Sequence, residues 1–332
     1  MKIAVDVMGG DNAPLETVEG ALIYAEKNPS VQVLLVGKED KINEIISKKD
    51  NKPKNIEIIN ATEVIEGEDH PVSAIRKKKD SSMAVALKLL KEKKADAVVS
   101  AGNTGALLAG SIFITGRIKG VERPAITGLY PTKKGESVIL DIGANADVQP
   151  EHLLTFAKMG TLYAKLALKK ENPTVGLINI GTEPQKGNQL VKEAYNLFKD
   201  CDDINFKGNV ESKEIPAGAA DVLVCDGFTG NIILKLTEGI ITELIGKLKT
   251  AMLSDFKSKM GAMFLKDSLK KMKNSFNYEE IGGAILLGID GTVIKAHGSS
   301  KRGSFSNAIK RAEEFCNAKV VQSITEMISE EK

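Results

Sequence analysis

The run Ala220-Asp221-Val222-Leu223-Val224-Cys225-Asp226-Gly227-Phe228-Thr229-Gly230-Asn231 joins a short apolar stretch to a polar, glycine-bearing turn. Val222 to Cys225 reads as a strand buried on both faces, and Thr229-Gly230-Asn231 opens a helical pattern through Ile232, Ile233 and Leu236. A strand that feeds a glycine turn and then a helix leaves several backbone N–H groups unpaired at one point. With the helix dipole behind them, those donors form an anion site. Thr229 is the expected N-cap. The pattern occurs once before, in Ala95-Asp96-Ala97-Val98-Val99-Ser100-Ala101-Gly102-Asn103-Thr104-Gly105. Ala95/Ala220, Asp96/Asp221, Val99/Val224, Gly102/Gly227, Thr104/Thr229 and Gly105/Gly230 stand in register. Two such corners suggest a pair of turns facing a common cleft.

Three more strands end in similar turns, at Gly9-Gly10, Gly143-Asn145 and Gly181-Lys186. Carboxyl ends of parallel strands share one sheet edge, so the five turns are expected to converge there. That edge would be rich in amides and backbone N–H groups, with Lys186 and His297 as further donors, and would suit phosphate or an oxyanion better than a metal. Asp6, Asp11, Asp141, Asp147 and Asp226 are singletons without ligand spacing. Gly-x-Gly-x-x-Gly, the Walker A pattern, His-Glu-x-x-His and Gly-x-Ser-x-Gly do not occur, which lowers the weight of hydride transfer, nucleotide hydrolysis and serine-hydrolase chemistry.

The elements that must position these turns alternate. Strands are expected over 2–7, 31–36, 56–59, 137–142, 174–180, 221–225 and around 293–296, with helices between them. Ser81 or Ser82 should cap the helix of Met83 to Lys91, Ser304 or Ser306 the last helix to about Ser329, and Glu122–Ala125 reads as a tight connection. This alternation is the α/β signature, with a mostly parallel sheet in a three-layer α/β/α arrangement. No Pro/Ser-rich linker interrupts it, so residues 1–332 are expected to form a single compact domain, bilobed around a cleft at most. A net charge of +2, no tryptophan and few aromatics give no case for nucleic-acid binding. Cys201, Cys225 and Cys316 are widely spaced, which speaks against zinc or a disulfide framework and for a reducing cytoplasm.

Asp6-Val7-Met8-Gly9-Gly10-Asp11, Ser100–Gly105, Asp141–Asn145, Gly181-Thr182-Glu183 with Lys186-Gly187, Phe206–Glu211, Asp226–Asn231 and Lys295-Ala296-His297-Gly298-Ser299-Ser300 occur in that order. Together they resemble the bacterial phosphate acyltransferases of phospholipid synthesis, over Met1 to about Asn317. Ser212 and Ile285 depart from that pattern, where glycine and proline are expected. The resemblance implies a Rossmann-like fold of the isocitrate/isopropylmalate dehydrogenase and phosphotransacetylase kind, without a nicotinamide or any other cofactor, and a homodimer. It implies transfer of a long-chain acyl group from acyl carrier protein to inorganic phosphate. The acyl phosphate would serve a membrane glycerol-3-phosphate acyltransferase. A coenzyme A-dependent phosphotransacylase and a non-catalytic module for a phosphorylated ligand are the alternatives.

In that reading phosphate needs positioning and relief of charge as the thioester oxygen becomes an oxyanion. Lys186, Asn231 and His297 are expected to be catalytic: Lys186 on phosphate or the oxyanion, His297 on the thiolate leaving group or a substrate oxygen. Substrate and phosphate contacts are expected from Asn103, Thr104, Gly105, Asn145, Thr182, Asp226, Gly227, Thr229 and Gly230. No metal is expected. The stretch 240–275 should form a basic amphipathic helical protrusion: between Lys247 and Lys273 eight lysines stand against Asp255 and Asp267, so its charge of 8 − 2 = +6 leaves the remainder at −4. Phe256, Met260, Met263, Phe264 and Met272 lie roughly at helical spacing, as in a helix that rests on an anionic membrane or meets an acidic carrier protein. The protein is therefore expected in the cytoplasm, peripheral to the inner face of the membrane.

Overall fold

The computed structural model describes residues 1–49, 51–255, 258–265 and 282–330. A single eleven-stranded sheet runs through them. In spatial order it comprises β3 (Ile56–Asn60), β2 (Gln32–Gly37), β1 (Lys2–Asp6), β4 (Ala97–Ser100), β11 (Thr292–Lys295), β10 (Ala284–Leu287), β5 (Ala125–Thr132), β6 (Gly135–Leu140), β9 (Val222–Val224), β7 (Thr174–Asn179) and β8 (Asn205–Glu211). Seven of the ten strand pairs are parallel.

Alternate residues of the inner strands enter opposite cores, as expected of strands covered on both faces. Ile3, Val5, Leu35 and Val99 pack with α1 (Leu15–Lys27), α6 (Pro150–Leu166) and α9 (Arg302–Asn317). Ala4, Leu34, Val98 and Leu223 pack with α4 (Ser82–Lys91), α5 (Thr104–Gly110) and the first turns of α8 (Gly227–Met252). Around these lie α2 (Glu39–Ser47), α3 (Pro71–Lys77), α7 (Gln189–Lys199) and α10 (Val320–Glu330). The three-layer α/β/α reading of the sequence holds.

Strand direction differs from the expectation of one shared edge. The strands β3-β2-β1-β4-β11 form one parallel block and β6-β9-β7-β8 another. Between them β11/β10, β10/β5 and β5/β6 are all antiparallel, so the second block runs opposite to the first. The turns after β6 and β9 therefore do not share an edge with those after β1, β4 and β11. They meet them over the centre of the sheet instead: Leu140, at the end of β6, is level with Thr127, which pairs with Ile285, itself opposite Ile294 and thus Val99.

Several local expectations are corrected. Glu122–Pro124 is a connection as expected, but it leads into the strand Ala125–Thr132, which the sequence reading did not identify. The final helical pattern is two helices broken at Ala318-Lys319, where Lys319 adopts φ 54°. Lys301, not a serine, stands at the N-cap of α9 and offers no side-chain bond. Ser81 does cap α4, accepting from the Ala84 N–H at 3.4 Å.

Candidate active site

The two matching corners are both strand–turn–helix units, and both are capped by their own side chains. Asn103 accepts the Ala106 N–H at 2.9 Å at the start of α5, and its amide donates to the carbonyls of Gly67 and Asp69. Asp226, not Thr229, caps α8: its carboxylate accepts the Thr229 N–H at 2.8 Å and the Thr229 hydroxyl at 2.7 Å. A carboxylate thus occupies the position that an exogenous anion would take at that helix start.

Gly227 and Gly230 serve close approach. The Gly227 N–H donates to the Asn145 carbonyl at 2.8 Å, and a Cβ there would meet that carbonyl at 2.7 Å. A Cβ on Gly230 would enter the Asp141 carbonyl. Asp141 organises the facing turn. Its buried carboxylate accepts the N–H groups of Ile126, Gly143, Ala144 and Asn145 and the Asn145 amide. Burial raises its carboxyl pKa above the ordinary value, although the bonds from Ala144, Asn145 and Gly143 pull it the other way. Asn145 is buried, with its amide bound to Asp141 and to the Pro124 carbonyl.

A cavity of about 810 Å³ opens beside this scaffold, over the sheet centre, at the point where strand direction changes. Thr104, Gly105 and Leu108 of α5 form one wall, and Ile126 and Tyr130 of β5 the floor. Ile142 and Gly143 border it beside α8, whose residues from Asn231 to Ile245 form the facing wall. Lys295, Ala296, His297, Ser300 and Ser304 close one end. Asn231 is half-buried, within 4 Å of where a Gly143 Cβ would stand, and its amide makes no hydrogen bond among the described residues. His297 is exposed. Its Nδ1 accepts the Ser299 N–H at 3.2 Å and lies 2.8 Å from the Ser299 hydroxyl, which leaves Nε2 as the ring's donor.

Lys295 is the group that the sequence reading did not single out. It ends β11 beside Ser100 of β4, and its Nζ donates to the carbonyls of Ala101, at 3.3 Å, and Ala296. Burial lowers its pKa to about 8, against the opposing pull of Asp11 and Asp6. The one sequence signal was its place in the Lys295–Ser300 motif.

Of the expected site residues, Asn231, His297, Thr104 and Gly105 line the cavity. Asn103, Asn145, Asp226, Gly227, Thr229 and Gly230 stand directly behind it as capping or close-packing groups. Lys186 and Thr182 are outside the lining, on the exposed turn after β7. That turn is folded on itself: the Asn179 amide donates to the Lys186 carbonyl at 3.1 Å, and the Asn209 amide to the Glu183 carbonyl at 2.9 Å. No group of three or more His, Cys, Asp or Glu that could hold a metal ion occurs among the described residues.

Comparison with known proteins agrees with this geometry. Residues 1–323 match the family described as "Fatty acid synthesis protein". The chain is similar to the phosphate acyltransferase of Alkaliphilus oremlandii, with 52% identity over 329 residues, covering 99% of this chain and 98% of the relative. It is similar to the phosphate acyltransferase of Clostridioides difficile at 49% identity, covering 99% and 96%. Among solved structures, EutD phosphotransacetylase from Staphylococcus aureus superposes with a TM-score of 0.60 at 16% identity, covering 96% and 93%. A phosphotransacetylase from Streptococcus pyogenes gives 0.60 at 17% identity, covering 97% and 94%. These two share the fold. The family match over residues 1–323 and the full-length identity to phosphate acyltransferases place this chain in the phosphate acyltransferase family of fatty acid and phospholipid synthesis, as an acyltransferase.

Proposed function

We propose that the protein transfers a fatty acyl group from the thioester of acyl carrier protein to inorganic phosphate. The observation that carries this reading is the polar end of the cavity, where the unengaged Asn231 amide and the Lys295 ammonium group stand beside an apolar floor. Lys295 takes the phosphate, exchanging carbonyl contacts for a charge-assisted bond. A phosphate oxygen attacks the thioester carbon. The Asn231 amide donates to the carbonyl oxygen as it becomes an oxyanion. The C–S bond then breaks, its electron pair leaves on sulfur, and the thiolate takes the proton that the attacking hydrogen phosphate carried, with the His297 Nε2–H as a hydrogen-bond donor to the sulfur.

Lys186 rests on its sequence motif alone, and the cavity favours Lys295 for the same role. The family resemblance further supports a homodimer and a membrane glycerol-3-phosphate acyltransferase as consumer of the product. No helix among the described residues is long and apolar enough to cross a membrane. Leu253, Met260, Met263, Phe264 and Leu265 are exposed, which fits an element resting on an anionic membrane surface. Phe256, Lys257, Lys266, Asp267, Lys270, Lys271, Met272 and Lys273, which supply much of the expected basic helix, lie outside the described residues.

The decisive experiment supplies phosphate with palmitoyl acyl carrier protein and traps the product with hydroxylamine. A trapped acyl phosphate from the carrier thioester, and none from palmitoyl coenzyme A, is the expected result. Product from coenzyme A alone would make the protein a phosphotransacylase of that carrier. Binding of phosphate without turnover of either thioester would leave a non-catalytic module.

A further inference from the structure

We infer that the cavity face of α8 is the wall along which the acyl chain lies, and that Ile241 and Ile245 set how long a chain the enzyme accepts. This rests on the acyl-transfer reading of the site and adds the residues that measure the substrate.

The helix has two distinct faces. Phe228, Ile232, Leu236, Ile240 and Leu244 recur every four residues, and all are exposed and outside the cavity lining. Asn231, Leu234, Ile241 and Ile245 line the cavity on another face. Leu234 to Ile241 is two helical turns and Ile245 one turn more, so their side chains follow one another along the groove. Two polar groups stand between them: Thr237 is paired with the Tyr130 hydroxyl at 3.2 Å, and the half-buried Glu238 lines the cavity one turn on from Leu234. Lys235 and Thr242 flank this line.

The groove begins at Asn231, where the thioester oxygen is bound, and runs past Leu234 to Ile245. That span is about 21 Å at 1.5 Å per residue. One end carries Asn231, Lys295 and His297 and the far end Ile241 and Ile245, with Glu238 the carboxylate between them. An acyl thioester has the same asymmetry: a polar reacting carbon at one end and an unbranched hydrocarbon beyond it. Leu234, Ile241 and Ile245 lead directly from the polar end, which selects the substrate's own chain as the occupant over a separate hydrophobic ligand. A bulky side chain on α8 should therefore truncate the groove at a distance set by its position.

The test compares wild type, Ile241→Trp and Ile245→Trp with octanoyl, lauroyl and palmitoyl acyl carrier protein as acyl donors. Ile245→Trp should cut kcat/KM for palmitoyl by about tenfold or more while leaving octanoyl within about twofold. Ile241→Trp should in addition lose lauroyl turnover, because its block lies nearer the reacting carbon. Ile245→Ala, which cannot clash, should tolerate the longest chain at least as well as wild type and secures the result if a tryptophan variant folds poorly. An equal change for all three donors, or none, overturns the inference while leaving acyl transfer intact. Variants that leave the chain-length profile unchanged but dissociate a dimer in sedimentation would instead make this face an interface between copies. Wild type that acylates phosphate from no thioester overturns the reading of the site itself, and this inference with it.

Discussion

Gly230 presents its Cα directly to the backbone carbonyl of Asp141, so closely that any side chain at 230 would enter that oxygen. The contact fixes the first turn of α8 to the turn after β6, and so fixes Asn231 relative to the rest of the cavity. Gly230→Ala should destabilise the fold by about 1–3 kcal/mol through overpacking against backbone that cannot rotate aside. Urea denaturation should show a lower midpoint at unchanged slope. A midpoint equal to wild type would mean that the two turns separate easily.

Lys295→Ala should reduce kcat/KM by about 10²–10³ if the ammonium holds phosphate or the oxyanion, with the circular dichroism spectrum unchanged. Lys186→Ala should cost far less. A reversal of that order would place the exposed turn after β7 at the reacting atoms and remove Lys295.

The same residue gives a pH signature. Its pKa in the free protein is lowered to about 8 by burial, so the amine is charged below that value and neutral above it. A role that needs the charge predicts a plateau of kcat/KM on the low side and a decline as pH rises through about 8. Lys295→Arg, charged throughout that range, should lose the decline if it retains activity. A decline that persists in Lys295→Arg would assign it to another group.

Cys225→Ala should retain most activity. The thiol is buried at the end of β9, outside the cavity lining, and burial raises its pKa well above the ordinary thiol value, so it is a poor nucleophile. A trapped acyl-cysteine in wild type, together with loss of turnover in the variant, would replace direct attack by phosphate with a two-step transfer.

Phe264 is among the most exposed apolar side chains of the chain, and Lys247 and Lys249 are exposed near the end of α8. Phe264→Asp should weaken salt-sensitive flotation with anionic vesicles, as should Lys247→Glu with Lys249→Glu. Wild type that ignores such vesicles at low salt defeats the membrane role. Lysine reversals that also leave the KM for acyl carrier protein unchanged defeat the carrier role as well.

The corners at Asn103 and Asp226 were legible in the sequence as positions, because strand, glycine turn and helix start follow from local residue preferences. Their purpose was not. A capping carboxylate or amide and a ligand-binding one have the same sequence signature, and only the partner distances separate them. β5 was missed because Gly128 and Pro131 interrupt its apolar pattern. The fold tolerates Pro131 because β10 pairs only with Ala125–Thr127, leaving that flank of β5 without a ladder beyond. Strand direction was also out of reach, since the reversal depends on β10 and β5 intervening between two blocks distant in sequence. Lys295 escaped notice for a related reason. A lysine ending an apolar strand reads as a solvated terminus, and its burial is set by the neighbouring turn of β4.

Among the described residues of α8 only Gly227 and Gly230 are buried, and the Thr237–Tyr130 hydrogen bond is its last tie to the sheet side. Among the described residues, then, the helix is clamped at its root like a cantilever, with the groove along its length. Displacement of such a beam grows with distance from the clamp. Position is accordingly held most tightly at the root, where the carbonyl carbon must sit, so that a change at Ile245 alters the length of the groove without disturbing the reacting group.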